Sequence, residues 1–516
     1  MINRELTQHF IRETREFEEQ LALFEAGQID KKTFKQVSGK FGCYAQRENG
    51  YMLRLRLPGG QVTREHLTFL GEKMKEYAVD FVKLTTCQTI QVHNLDSSQV
   101  LALMRDCLKA GIITRGGGGD GPRNVMADPL SGVDKKEFFA VLPYALAISN
   151  YLISRIPGLK LPRKLKVGFS GTPENPTHVT FRDLGFLAQE DGTFSVYCAG
   201  GLGPNPKLGV LVAEHAKPEE VSLYVSAMLR LFTKYGNDKV RAKSRTRYLQ
   251  DSLGIPQLQE KFTQCLKEAR KEEKPCAIPS LPKITKQPEG EIQGLRILEQ
   301  KQPGLYCVSF HPIGGCLEGK HLMVLCEVLK GVPQSELRLS PDGSLYVLNL
   351  TAKEVPRILE ATEGGAENPF EASVCCIGLP TCQHGIGYSQ RLLSGIIQRV
   401  RKENFPRNTL PQLHISGCPS SCGTHQSAPL GFVGSMVKTE GQLQPAFRLF
   451  VNGSAWAFNS RLGTEIALLP EKAIPDFLAE LGREINKEHT DFYAWYPEHE
   501  KDFRQLVEKY AFHRTP

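Results

Sequence analysis

The chain has no apolar run long enough to cross a membrane, so no transmembrane helix is expected. No signal-peptide pattern stands at Met1-Ile2-Asn3-Arg4, and the cytoplasm is the expected location. No basic block with interleaved aromatics marks a nucleic-acid surface. The one glycine-rich run, Gly116-Gly117-Gly118-Gly119-Asp120-Gly121-Pro122-Arg123-Asn124, lacks the Lys-Ser/Thr ending of a phosphate-binding loop. No flavin or nicotinamide fingerprint is read in the chain, so any electrons it uses come from a separate donor. Acidic residues are in slight deficit, 56 against 64 basic ones, for a net charge of +8. That sign suits an acidic small molecule or an acidic protein partner; on 516 residues it is equally compatible with no specific partner.

What is present is ordinary for a soluble protein. Apolar residues make up 41% and charged residues 23%, and the length calls for several domains. The 14 cysteines do not form the compact framework of a small secreted domain, so reduced thiols and metal ligation are expected rather than disulfides. Four of them stand out. Cys376-Ile377-Gly378-Leu379-Pro380-Thr381-Cys382 and Cys418-Pro419-Ser420-Ser421-Cys422 read as Cys-x5-Cys followed by Cys-x3-Cys. Four thiolates match the need of a [4Fe–4S] cube, and the flanking Gly and Pro suit tight loops whose N–H groups point at sulfur. Structural zinc is the competing reading, although x5 is long for zinc spacing. Cys375, beside Cys376, reads as a buried small apolar residue.

Leu6, Phe10, Phe17, Leu21 and Phe24 recur at helical spacing and predict an amphipathic N-terminal helix, a packing arm without chemistry. Met52 to Leu57 alternates as a strand does, and Pro58-Gly59-Gly60 ends it. A helix through Leu67, Leu70, Met74 and Tyr77 follows, then strands at Phe81–Leu84 and Ile90–Val92. A further helix is expected to be capped by Ser97 or Ser98. The same order returns from Cys307. Leu84, Ile90, Val92, Asn94 and Leu95 align without a gap on Leu339, Leu345, Val347, Asn349 and Leu350, and Gly59-Gly60 on Gly314-Gly315 at the same offset. An internal duplication is the simplest explanation. Leu161 to Phe169 runs into a strand, with Lys164 and Lys166 on one face; an anion between them, or plain solvation, accounts for the pair. The glycine-rich run allows close backbone approach to a bulky or anionic ligand, or is simply flexible. Lys267 to Gln293 reads as a linker, Phe432 and Phe447–Val451 as strands, and Pro470 to Lys487 as helical.

The two cysteine stretches, with Pro380-Thr381-Cys382 and Gly417-Cys418-Pro419, resemble the signature of the sirohaem- and [4Fe–4S]-dependent sulfite and nitrite reductases, the sulfite branch in particular. The resemblance covers nearly the whole chain. It implies an α+β, pseudo-twofold duplicated nitrite/sulfite reductase fold: two ferredoxin-like half-domains plus two sirohaem- and cluster-binding domains. The expected order is an N-terminal helical arm at 1–38 and a first half-domain at 39–110. A sirohaem and substrate domain at 111–275 and a linker at 276–294 follow. A second half-domain at 295–365 and a cluster and sirohaem domain at 366–516 complete it. The resemblance further implies that Cys376, Cys382, Cys418 and Cys422 hold the cluster, with Cys422 bridging to the sirohaem iron. Arg54, Gln91, Arg123 and Asn124 would contact the sirohaem, and Arg123, Lys164 and Lys166 would meet the oxyanion and supply protons. Nitrite reductases of the family tend to carry Asn where Lys166 stands.

One position departs from that pattern. Thr85-Thr86-Cys87-Gln88-Thr89-Ile90-Gln91 resembles the family stretch whose third residue is an active-site arginine, and here it is Cys87. A guanidinium offers an anion a planar fork of donors, whereas a thiol is a weak donor. Losing one charge-assisted contact costs about 1.5–3 kcal/mol. The implied activity is six-electron reduction of sulfite to sulfide, with ferredoxin or a separate reductase subunit as donor. The alternatives are six-electron reduction of nitrite to ammonia, or a sirohaem protein whose turnover is altered or lost through Cys87.

Overall fold

The computed structural model describes residues 4–439 and 441–512. It divides into two compact units. One comprises the chain up to Gly201, Lys207–Phe310 and Cys316–Glu363; the other comprises Leu202–Pro206, His311–Gly315 and the chain from Gly364. Among the described residues no helix is long and apolar enough to cross a membrane.

In the first unit, helix Arg4–Glu25 buries Phe10, Phe17 and Leu21, the apolar face read from their spacing. Strand Tyr51–Arg56 then pairs antiparallel with Thr89–Leu95, which pairs with Phe81–Leu84. The later half repeats this with Tyr306–Phe310, Leu345–Leu350 and Glu336–Leu339. The likeness extends to irregularities. Each outer pair slips register at one place, Tyr51/Leu53 and Tyr306/Val308. Asn94 and Asn349 sit there at φ 60° and 62°. Gln46 Oε1 accepts from the Asn94 backbone N–H at 2.9 Å, and Gln300 Oε1 from that of Asn349 at 2.7 Å. Gly59 and Gly314, at φ 60° and 59°, take the left-handed turn that an L side chain resists. The halves also exchange strands. Gln61–Val62 adds to the edge of the later sheet beside Glu336–Leu339, and Cys316–Glu318 to the earlier one beside Phe81–Leu84. The repeat thus closes into one core, in which Val82, Leu84, Leu337 and Leu339 all lie buried.

Three local expectations change. The helix Ser97–Lys109 is capped by Asp96, not by a serine. The Asp96 carboxylate accepts the Gln99 N–H at 2.8 Å while Gln99 Oε1 accepts the Asp96 N–H at 3.0 Å, a reciprocal pair that a serine at 97 or 98 is too late in the chain to make. The helix Ile255–Glu272 runs into the expected linker because Leu266 and Ala269 are buried; residues 274–293 carry no helix or strand. The strand after the lysines begins only at Val167. Lys164 and Lys166 precede it, with Leu165 fully buried between them and bridged to Pro122.

Each unit carries a sheet built around a parallel pair. In the first, Val167–Ser170, Leu184–Ala188, Phe194–Cys198 and Val210–Ala216 lie in that order, the first pair parallel. In the second, Val374–Cys375, Leu413–Ser416, Leu430–Thr439, Gln442–Val451 and Thr464–Pro470 do the same, with Leu413–Ser416 parallel to Leu430–Thr439. Helix Ile474–Lys487 packs Phe477, Leu478 and Leu481 into the latter core. The aromatic tail, on which the pattern was uninformative, forms helices Phe492–Glu498 and Glu500–Tyr510, with Trp495 and Phe503 buried.

Candidate functional site

The second unit holds the thiols. Cys375 is buried in the core, as a small apolar residue is, which leaves Cys376 as the first thiol of the Cys-x5-Cys motif turned out of it. The Gly417 N–H donates to Cys376 Sγ at 3.0 Å, and the Ser389 hydroxyl lies 3.4 Å from the same sulfur. Burial holds the Cys382 thiol above its usual range, and the neighbouring Cys376 and Cys418 add to the rise, so these three sulfurs are near one another. Cys422 is exposed. The loops can mesh because they carry glycine where they cross. A Cβ at Gly417 would stand 2.9 Å from Gly378 Cα and 3.0 Å from Gly387 O; one at Gly434 would stand 2.6 Å from Gly417 O. Ile386 and Gly387 both donate to Gly417 O at 2.8 Å. Among the described residues no three His, Cys, Asp or Glu side chains converge as ligands of one metal ion.

The first unit holds the cations. The turn at 85–88 is pinned from below. Gln88, fully buried, donates from Nε2 to Ala127 O at 2.8 Å and Leu339 O at 2.7 Å and accepts the Ala127 N–H. Asn124 Nδ2 reaches Leu57 O, Cys87 O and Gln88 O at 2.8, 3.0 and 3.0 Å, while its Oδ1 is buried with no partner. The turn thereby presents Cys87 to Lys166, Arg182 and Arg54. Burial pushes the Cys87 thiol up, but these three cations outweigh it and bring it down to about 6. Lys166 is fixed through its backbone, whose N–H donates to Asp183 Oδ2 at 2.8 Å. Gln91, opposite Arg54 in the sheet, meets His93 Nε2 at 3.3 Å.

Arg123 lies in this region, but its terminal nitrogens donate to Gly118 O, Gly119 O and Gly121 O at 2.6, 2.6 and 3.2 Å. It shapes the glycine-rich loop. Burial lowers its guanidinium to about 10. Arg56, buried, donates to Arg115 O and Arg123 O at 2.9 and 3.0 Å; Arg54 Nη1 donates to Gly117 O at 2.7 Å. Gly116, Gly118 and Gly121 fall at G-x-G-x-x-G spacing, yet the run neither follows a strand nor opens a helix, so it is no dinucleotide turn. A Cβ at Gly118 would collide with Tyr44 Oη, which shows why the loop is glycine.

Two models of one family match the chain. One, described as the nitrite and sulphite reductase 4Fe-4S domain, matches residues 118–270. The other, the nitrite/sulfite reductase ferredoxin-like half domain, matches 44–110 and again 298–364. The chain belongs to the nitrite and sulfite reductase family. The double match of the half domain coincides with the duplication read from the aligned leucines. Among curated relatives, the chain is 26% identical over 449 residues to a ferredoxin–nitrite reductase of Synechococcus elongatus, covering 84% of this chain and 85% of that one. It is 27% identical over 440 residues to the sulfite reductase [NADPH] hemoprotein beta-component of Geobacillus kaustophilus, covering 75% and 74%. The fold is that of the Mycobacterium tuberculosis NirA protein, with a TM-score of 0.75, 23% identity and coverage of 95% and 97%.

As a member of this family the protein is an oxidoreductase whose cofactors are sirohaem and a [4Fe–4S] cluster. The side chains fit those groups. Clustered thiols with an N–H aimed at one sulfur suit the cluster, and a buried cationic donor without a partner, Arg182 Nη2, suits a polyanionic macrocycle or its substrate. The four-Cys motif lies outside the residues matched to the 4Fe-4S domain model, in the second copy of that sheet. Sequence reasoning missed Arg182, Asp183 and Arg245. Their signal, a Phe181-Arg182-Asp183 step ahead of a strand, says nothing until the strand is placed beside Lys166.

Proposed function

We propose that the protein reduces sulfite to sulfide by six electrons, drawn from a separate donor such as ferredoxin. The observation that carries this reading is the set of cations around the Cys87 turn, Lys166, Arg182 and Arg54, with Lys166 anchored through its backbone to Asp183. Lys166 and Lys164 would neutralise the oxyanion and hand over protons from Nζ as oxygen leaves as water. Arg123 would keep the glycine-rich loop closed. Cys376, Cys382, Cys418 and Cys422 would hold the cluster, and Cys422 would also help hold the sirohaem. When bound, the two cofactors supply the electron storage that no side chain offers. The names of two relatives, a ferredoxin–nitrite reductase and a sulfite reductase [ferredoxin], and the net charge of +8, which would steer an acidic carrier, support a ferredoxin-type donor, while the Geobacillus kaustophilus name supports a separate NADPH-linked subunit.

A second reading is nitrite reduction to ammonia. The Synechococcus elongatus relative's name and the loss of a guanidinium at Cys87 favour it; a lysine at 166 favours sulfite. The ratio of kcat/KM for sulfite and nitrite, measured with one reductant on cofactor-replete protein, decides between them. A ratio above one supports sulfite and a ratio below one nitrite. Sirohaem bands without turnover of either would mean that activity has been lost.

A further inference from the structure

Most guanidiniums near the Cys87 turn have assigned duties. Those of Arg56 and Arg123 bond backbone carbonyls through both terminal nitrogens. Arg54 Nη1 bonds Gly117 O, and Arg245 pairs with Asp183 at 3.0 Å. Arg182 differs. It is only 6% exposed, and its Nε donates to Thr177 O at 2.7 Å, which fixes the plane of the fork. Its Nη2 is buried without a partner. A buried donor left so is destabilising, and a bound acceptor removes that penalty. Arg182 is close enough to the Cys87 side chain for a guanidinium and a thiolate to attract, and it enters from the residue before Asp183, whose carboxylate holds the Lys166 backbone. The resemblance puts an active-site arginine at position 87, where this chain has Cys87, and a guanidinium from the segment ahead of Leu184–Ala188 stands near that residue.

We propose that Arg182 is the guanidinium that recognises the oxyanion in this protein, acting in place of the arginine missing at Cys87, and that Cys87 holds it in position between substrates. The inference rests on the oxyanion-reducing function proposed above. It relocates the specificity contact from the 85–88 turn to the segment ahead of Leu184–Ala188. The swap keeps a planar fork beside Lys166 and adds a thiol that shares it.

The test titrates cofactor-replete full-length protein with sulfite and with nitrite, following the sirohaem absorption bands, for wild type, Arg182→Gln, Arg182→Lys, Cys87→Arg and the double variant Cys87→Arg/Arg182→Gln. Arg182→Gln is expected to weaken oxyanion binding by about 10- to 100-fold, the loss of one charge-assisted contact. Arg182→Lys, which keeps charge but not the fork, should weaken it by about threefold to tenfold and serves if the glutamine variant does not fold. The double variant should recover to within about threefold of wild type, so the two single effects are not additive. Binding by Arg182→Gln within about twofold of wild type, or a double variant as weak as Arg182→Gln, overturns the proposal. A second readout needs no turnover: the pH midpoint of Cys87 alkylation by iodoacetamide should rise in Arg182→Gln, and an unchanged midpoint overturns the pairing. A wild type that binds neither sulfite nor nitrite would instead sink the proposed function, while the alkylation profile would still report on the Arg182–Cys87 pair.

Discussion

Ser170-Gly171-Thr172-Pro173 and Ser416-Gly417-Cys418-Pro419 are two copies of one turn, and they do different work. Each leaves a strand that runs parallel to the next one, Val167–Ser170 beside Leu184–Ala188 and Leu413–Ser416 beside Leu430–Thr439. Each continues through two left-handed residues, Asn175 and His178 at φ 52° and 56°, Ser421 and Thr424 at 55° and 54°. Gly185 and Gly431 then pass so close to Val179 O and His425 O that a Cβ would collide in both. The difference lies in what the neighbouring segment offers to the glycine N–H. In the first copy the Gly171 N–H donates to Asp128 Oδ2 at 2.6 Å and Ser170 Oγ to Asp128 Oδ1 at 2.8 Å. In the second the Gly417 N–H donates to Cys376 Sγ at 3.0 Å. One frame therefore presents an acceptor at the same place twice. A carboxyl group there locks the turn; a thiolate there can take iron while the N–H tunes it.

The comparison can be broken from either side. The largest effect is expected in the thiol copy: Cys418→Ser or Cys422→Ser should remove the cluster and its coupling to the haem, with turnover falling by more than the 10–100-fold typical of an outer-shell change. Iron content and the absorption spectrum check it, and an intact coupled spectrum would refute the ligand assignment. In the first copy, Thr172 occupies the place of Cys418, and Thr172→Ala should leave the cluster bands unchanged.

Next is the acid lock. Burial pushes the Asp128 carboxyl up to about 7 against the bonds from Ser170 and Gly171 that favour its anion. A carboxyl raised in the fold contributes stability that is present below its unfolded value near 4 and lost as pH climbs through about 7. The stability advantage of wild type over Asp128→Asn should therefore shrink by about 1–3 kcal/mol between pH 4 and 8, measured by urea unfolding. An advantage that grows over that range would show that the carboxylate form is the one the fold prefers.

A smaller effect separates the glycines. Gly417→Ala meets Gly378 Cα at 2.9 Å, backbone that cannot yield, and should cost about 1–3 kcal/mol of unfolding free energy. At Gly171 the nearest atoms are Phe139 O at 3.1 Å and Asp128 Oδ2 at 3.5 Å, so Gly171→Ala should cost less. Equal losses in Tm would mean the meshing of the thiol loops is not what demands glycine. The smallest effect on the fold belongs to Cys87. Its thiol, brought down to about 6 from an ordinary 9.0, should alkylate with a midpoint near that value, and a midpoint near 9 would remove the set of cations around the turn from the account.

The half-domain repeat was legible because its strands alternate in and out of one core, and alternation is written in residue type. Leu84 and Leu339 are both buried for that reason. The repeat of the turn was passed over because its chemistry had diverged: Asp128 and Cys376 share a place and no property visible in a list of residues. The strand exchange was also hidden. Val62 pairs with Leu337 and Val82 with Leu317, partners some 250 residues apart that no local pattern names. Ser97 and Ser98 are caps by residue type, but Asp96, at φ −78° and ψ 177°, is the extended residue just before the helical backbone begins.

By itself the order of residues determined the internal duplication, the four spaced thiols and the resemblance to the sulfite and nitrite reductases, because periodicity, spacing and motif are properties of neighbours along the chain. Tertiary structure decided which guanidinium is available. Arg54, Arg56, Arg123 and Arg182 are alike as sequence; they differ in how many of their donors find a carbonyl or carboxylate once burial removes water as a partner, and only the folded chain sets that.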